Sequence, residues 1–209
     1  MLKNTVFDTL NGISAGIVIS IGGTVFLTCD NKAVGAVLFT VALLCICLRG
    51  YSLFTGKVGF ITEKHGKAEF SVLLLGLLGN VLATWLCGAL LKGVLPDISE
   101  KALIMCEGKL NQTVISTFVR GIFCGILMYL AVSTYRDKNT LSGILFCVPV
   151  FILSGFEHSI ADMFYFAVAG CESLRSFGFI VTVIIGNAIG AILMNLLSNA
   201  AKPAKTTER

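Results

Sequence analysis

Two of the six long apolar stretches in this 209-residue chain are interrupted by polar, glycine-flanked breaks, and no other feature limits its fold so severely. The stretches run from about 6 to 28, 33 to 62, 70 to 95, 112 to 135, 141 to 170 and 174 to 198. Each comes near or exceeds the roughly 20 residues that a helix needs to cross a bilayer. The second carries Arg49-Gly50-Tyr51-Ser52-Leu53-Phe54-Thr55-Gly56-Lys57, and the fifth carries Ser154-Gly155-Phe156-Glu157-His158. Backbone can leave a helix at membrane depth only where protein or a water-lined cavity satisfies its amides. Both breaks are therefore predicted to face the interior of an all-α membrane protein with six transmembrane helices. Apolar residues make up 56% of the chain and charged residues 13%, about half the share usual in a soluble domain.

The breaks occupy matching places in two halves. Gly50 and Gly155 are 105 apart, Gly79-Asn80 and Gly186-Asn187 are 107 apart, and Gly16-Ile17 and Gly125-Ile126 are 109 apart. Three spans per half is an odd number, so the halves must be inverted about a pseudo-two-fold axis in the membrane plane. Paired interrupted spans in inverted repeats point to a permeation site near the midplane. The expected organisation is a single transmembrane domain over 1–198, with repeats over about 1–98 and 109–198, and a polar tail over 199–209.

The first stretch lacks a strongly basic leader and is followed by five more, so it is expected to remain as a span. With six spans, both ends share one side. That side would collect Lys3, Lys64, Lys67, Arg136, Lys138, Lys202, Lys205 and Arg209, against Lys32, Lys92, Lys101, Lys109 and Arg175 opposite. The bias favours cytoplasmic termini in a multi-pass plasma-membrane protein. A net charge of +4, scattered rather than clustered, argues against nucleic acid as a partner. The eight cysteines lie mostly in apolar runs without metal-ligand spacing, and read as small packing residues. No cofactor and no metal is expected.

The run Gly155-Phe156-Glu157-His158-Ser159-Ile160-Ala161-Asp162 puts two carboxylates and an imidazole at membrane depth. Ionisable groups there are costly and mark a working site. Asn80 and Asn187 are expected to satisfy the broken backbone of the opposite repeat. Glu157 is expected to hold backbone amides of the broken segment rather than transfer protons. Asp162, one turn after His158, either ties that ring or caps the half-helix that follows. Arg120 is expected to reach a carboxylate or a subunit interface.

These residues carry a resemblance to the formate/nitrite transporter family, homopentameric channels for small monovalent anions with an aquaporin-like protomer. It extends from the glycine-rich first span (Gly12 to Gly23) to Ile185-Gly186-Asn187-Ala188-Ile189-Gly190. Its most specific parts are Leu53-Phe54-Thr55-Gly56-Lys57-Val58 and the Gly155 to Phe164 run. The resemblance implies that Leu53, Phe54 and Thr55 form the cytoplasmic constriction, with the Thr55 hydroxyl facing the pore, and that His158 is the central pore histidine. It further implies that Phe39, Leu43 and Phe151 line an outer apolar constriction. Lys109 would be a vestibule lysine that draws anions inward. The family usually places an asparagine after the cysteine, where this chain has Gly125, so a polar partner is expected to be missing near Lys109 or His158.

An anion in a narrow apolar constriction meets a desolvation penalty on the order of 10 kcal/mol before relaxation, which a weak acid avoids by entering neutral. The expected function is a channel for formate, nitrite, hydrosulfide or a similar weak-acid anion, with proton-linked passage past His158. In that scheme His158 either donates the proton or stabilises the anion as an imidazolium. An uncharged permeant, or a non-conducting membrane scaffold, is the alternative. No nucleophile motif or cofactor fingerprint supports an enzyme.

Overall fold

The computed structural model describes residues 2–63 and 67–202, all of whose regular elements are helical. Helices α1 (Leu2–Thr28), α2 (Lys32–Arg49), α4 (Lys67–Val94), α6 (Val114–Lys138) and α9 (Leu174–Ala200) are long and apolar enough to span a membrane. The second crossing continues past α2 through α3 (Phe54–Lys57) and a 3-10 segment, Val58–Thr62. The fifth crossing is split between two short helices, α7 (Ser142–Leu153) and α8 (Ser159–Ala169). The six expected spans and both expected breaks are thus present. Lys64, Lys205 and Arg209 of the expected basic side lie outside the described residues.

Local chemistry explains where the helices stop. Asn31 accepts from the amides of Ala33 and Val34 at the start of α2, and Gly50 ends it at φ 70°, a left-handed conformation in which a side chain would be strained. Gly155 sits at φ 68° in the second break. Ser173 and Ser176 exchange reciprocal side-chain to backbone bonds at the start of α9.

Each half is organised around one tight helix pair, α1 along α4 and α6 along α9. Gly16 lies against Asn80 and Ala83, and Gly125 lies against the backbone of Asn187, the equivalent contact in the other half. Small residues at such crossings let helix backbones approach closely in a membrane. The outer surface carries large apolar side chains, among them Phe7, Trp85, Leu90 and Leu193, as lipid or a neighbouring subunit requires.

Helix α5 (Pro96–Leu110), between the halves, was not expected from the sequence. Pro96 opens it, and its buried residues Ile98, Ala102 and Cys106 recur every four positions. That stripe lays the helix against α8, where the Ser99 hydroxyl donates to the Val168 carbonyl at 2.8 Å. Lys109 follows in the last turn of α5 and is carried inward with it.

Candidate functional site

The two breaks are held by one asparagine each, from the middle of α4 and of α9. Asn80 accepts the Phe54 amide at 2.9 Å and donates to the carbonyls of Gly12 (2.8 Å) and Ser52 (2.9 Å). Asn187 accepts the Ser159 amide at 2.9 Å and donates to the carbonyls of Gly121 and Glu157, both at 2.8 Å. Every partner in the first set maps onto its counterpart in the second by the spacings of the repeat. The expectation that each asparagine serves the opposite repeat is corrected: each serves its own. The reason is geometric: the break itself lies against the last helix of its own half, although the half-helix beyond it packs chiefly on the last helix of the other half, α8 on α4 and the Val58–Thr62 segment on α9. Lys57 adds a side-chain bond to Ser52, at 2.9 Å, across the first break.

The half-helices that follow the breaks begin close together. Thr55, in the first turn of α3, and His158, the N-cap of α8, meet at 2.8 Å between Oγ1 and Nε2. Both are buried, as are Leu53 and Phe54 beside them. The Ala161 amide donates to His158 Nδ1 at 3.2 Å. That bond fixes Nδ1 as an acceptor, so the ring proton resides on Nε2 and is donated to Thr55. The Thr55 hydroxyl hydrogen is then left for another acceptor. Turning the ring into an imidazolium would place a proton on Nδ1 and remove the cap of α8.

Above this contact, on the face opposite the termini, lies a vestibule of about 630 Å³ whose wall includes Lys109, Phe151, His158, Asp162 and Tyr165. Phe151 stacks over His158 at 5.5 Å and meets Phe39 edge-on at 6.2 Å. Leu43 is buried one turn further along α2 from Phe39. These side chains form an apolar collar next to the imidazole. On the opposite face a second cavity of about 490 Å³ is lined by Lys57, Glu63 and Arg136, and Arg136 pairs with Glu63 at 2.9 Å.

Three charged groups gather in the vestibule wall. Lys109 Nζ contacts Glu157 Oε2 and lies 2.9 Å from Asp162 Oδ1. Gln112 donates to the other Glu157 oxygen at 2.7 Å. Two expectations are corrected by this cluster. The Glu157 carboxylate holds Lys109 and Gln112, not backbone amides, which Asn187 has already engaged. Asp162 neither ties His158 nor caps α8; it turns to Lys109, and His158 supplies its own cap. Of the two roles expected for Arg120 the carboxylate is ruled out, since its guanidinium donates to the Gly155 carbonyl at 2.8 Å and to the Ser116 hydroxyl at 3.2 Å.

Gly125 is likewise corrected. A Cβ there would stand 2.8 Å from Asn187 Cα, so the position is filled by helix packing and has no room for an asparagine. The polar network near Lys109 is supplied instead by Gln112 and Asp162. Gln112 and Tyr165, whose ring centroid lies 6.0 Å from Lys109, were not anticipated. For Tyr165 the spacing from His158, two turns along one helix, was an available signal.

Comparison with known proteins gives a consistent result. The family model described as formate/nitrite transporter matches residues 4–201. The uncharacterized transporter YrhG of Bacillus subtilis (strain 168) is 28% identical over 200 residues, covering 86% of this chain and 75% of that one. Formate channel FocB of Escherichia coli (strain K12) is 31% identical over 189 residues, 77% of this chain and 66% of its own. Nitrite transporter NirC of the same strain is 29% identical over 184 residues, 76% and 67% respectively. Among solved structures, a pentameric formate channel with formate bound superposes with a TM-score of 0.79 at 21% identity, over 95% of this chain and 97% of that one.

Proposed function

The chain belongs to the formate/nitrite transporter family, and on that premise we propose that it forms a homopentameric channel for small monovalent weak-acid anions, with formate and nitrite the leading candidates and hydrosulfide the next. It is a multi-pass membrane transporter and not an enzyme. Residues 1–198 act as the single channel domain, repeats 1–98 and 109–198 flank the α5 connection, and 199–209 is a tail. The plasma membrane with cytoplasmic termini is the setting that the basic residues of the termini's face support.

One observation carries this reading: two broken crossings bring Thr55 and His158 together at the foot of a vestibule, beneath the collar of Phe39, Leu43 and Phe151. Ionisable and hydroxylic groups at this depth serve a permeant rather than packing. The anion collects in the vestibule near Lys32 and Lys101 of its rim and Lys109 of its wall. The collar strips its water, which favours the neutral acid. The acid then slips past His158 to the inner constriction of Leu53, Phe54 and Thr55, where the Thr55 hydroxyl hydrogen remains for an acceptor oxygen.

Uptake of formate, nitrite and hydrosulfide into proteoliposomes, with and without an inward proton gradient, tests the proposal. The expected result is saturable flux of at least one anion, accelerated by the gradient and reduced in His158→Asn. Absence of flux for all three in folded pentamers would overturn it, and flux of a small polyol instead would mark a channel for neutral solutes.

A further inference from the structure

Among the described residues, two buried side-chain polar atoms lack a hydrogen-bond partner, Ser159 Oγ and Asp162 Oδ2, and both lie in the first turn of α8 beside the vestibule. Buried polar atoms are nearly always partnered, so a pair of exceptions within one turn calls for a cause. Asp162 is 1% exposed and Glu157 2% exposed, and both turn to the one ammonium of Lys109. With all three ionised the cluster would carry a net charge of −1 in a dry setting. One proton shared by the carboxyls makes it neutral.

Glu157 has both oxygens engaged, by Lys109 and by Gln112, whereas Asp162 has one oxygen engaged and one without a partner. The proton therefore belongs on Asp162 Oδ2. His158 is not placed to be the donor. Its Nδ1 accepts the Ala161 amide and its Nε2 proton is committed to Thr55, so giving that proton up would leave an imidazolate.

Resting on the channel function proposed above, we propose that Asp162 is the group that protonates the permeating anion. The Oδ2–H bond breaks and a new O–H (or, for hydrosulfide, S–H) bond forms on the anion, which leaves as the neutral acid. Asp162 remains as a carboxylate paired with Lys109, and a proton from vestibule water restores it. Groups facing Asp162 are Lys109 and Cys106 from α5, Cys124 from α6, Glu157 and His158 from the break, and Tyr165 from its own helix. Of these, Lys109 alone brings a positive charge, and it holds the carboxylate left behind.

Infrared difference spectra of the purified channel, recorded during a pH titration, test the assignment without transport. A protonated-carboxyl stretch is expected in the wild type, absent in Asp162→Asn, restored at a shifted frequency in Asp162→Glu, and moved to lower pH in Glu157→Gln, which leaves Asp162 and Lys109 as a neutral ion pair. The second arm measures formate and protons together in proteoliposomes. Wild-type flux should carry protons and rise as external pH falls, and Asp162→Asn should lose both behaviours while His158→Asn keeps the proton linkage in whatever flux it retains. A carboxyl band unchanged in folded Asp162→Asn, or proton linkage intact in that variant, overturns the proposal while leaving the channel reading untouched. Flux of no anion in the wild type overturns the channel reading, and the infrared band still decides whether Asp162 holds the proton.

Discussion

Replacing Asn187 by alanine removes three hydrogen bonds at once: the acceptor of the Ser159 amide and the donor to the carbonyls of Gly121 and Glu157. Side-chain hydrogen bonds inside membrane proteins average about 0.6 kcal/mol and reach about 1.7 kcal/mol. Three of them put the loss at about 2–5 kcal/mol. No helical partner exists for the Ser159 amide, which lies in the first turn of α8, so the upper half of that range is expected. Asn80 makes three bonds of the same kinds in the other half, and Asn80→Ala should therefore cost a similar amount. Asn187→Asp keeps the acceptor but sets a carboxylate against two carbonyl oxygens, and should be worse than alanine. Reversible unfolding of the purified channel in mixed micelles measures each value. A loss below about 1 kcal/mol for Asn187→Ala, or an aspartate variant as stable as wild type, would refute the view that one side chain closes each break.

Thr55→Val leaves the His158 Nε2 proton without an acceptor, a buried loss of about 1–3 kcal/mol, so anion uptake should fall about tenfold or more while Thr55→Ser retains it. Lys109→Met strands the buried Glu157 carboxylate and leaves the Asp162 carboxyl beside it unpaired, and should destabilise the fold by about 3–5 kcal/mol, much of it recovered when Glu157→Gln and Asp162→Asn are added, as denaturant titration would show. Gly125→Ala should cost about 1–3 kcal/mol by forcing α6 off α9, whereas Gly93→Ala, with open space around its Cβ, should be neutral or stabilising in the same unfolding assay.

Much of this architecture was legible in the chain because membrane depth makes exceptions conspicuous. Gly50 and Gly155 stood out inside apolar runs, and their spacing lay close to that of Asn80 and Asn187, so the breaks, the inversion and the presence of His158 in a break were readable from the residues, while its place at the centre of the pore came from the resemblance. Helix α5 was not legible because its buried stripe is only Ile98, Ala102 and Cys106, too sparse to distinguish from a loop. Pairings across long sequence separations were equally hidden. Nothing in the order of residues joins Lys109 to Glu157 and Asp162, since the meeting depends on how α5 lies against α8. Gly125 misled for a related reason: a missing side chain looks the same on paper whether it empties a pore or closes a helix crossing.

A pore assembled from two copies of one three-helix plan would look alike from either side of the membrane. The insertion of α5 after the first half abolishes that equivalence, because it furnishes the vestibule of one face with Lys101 and Lys109, whereas the cavity of the opposite face is lined by Lys57, Glu63 and Arg136. At equilibrium the two directions must still balance. Away from it, capture at the two entrances proceeds at unequal rates, so equal and opposite concentration differences drive unequal currents. The helix between the repeats is thus expected to make the conduit rectify, with no part that has to move.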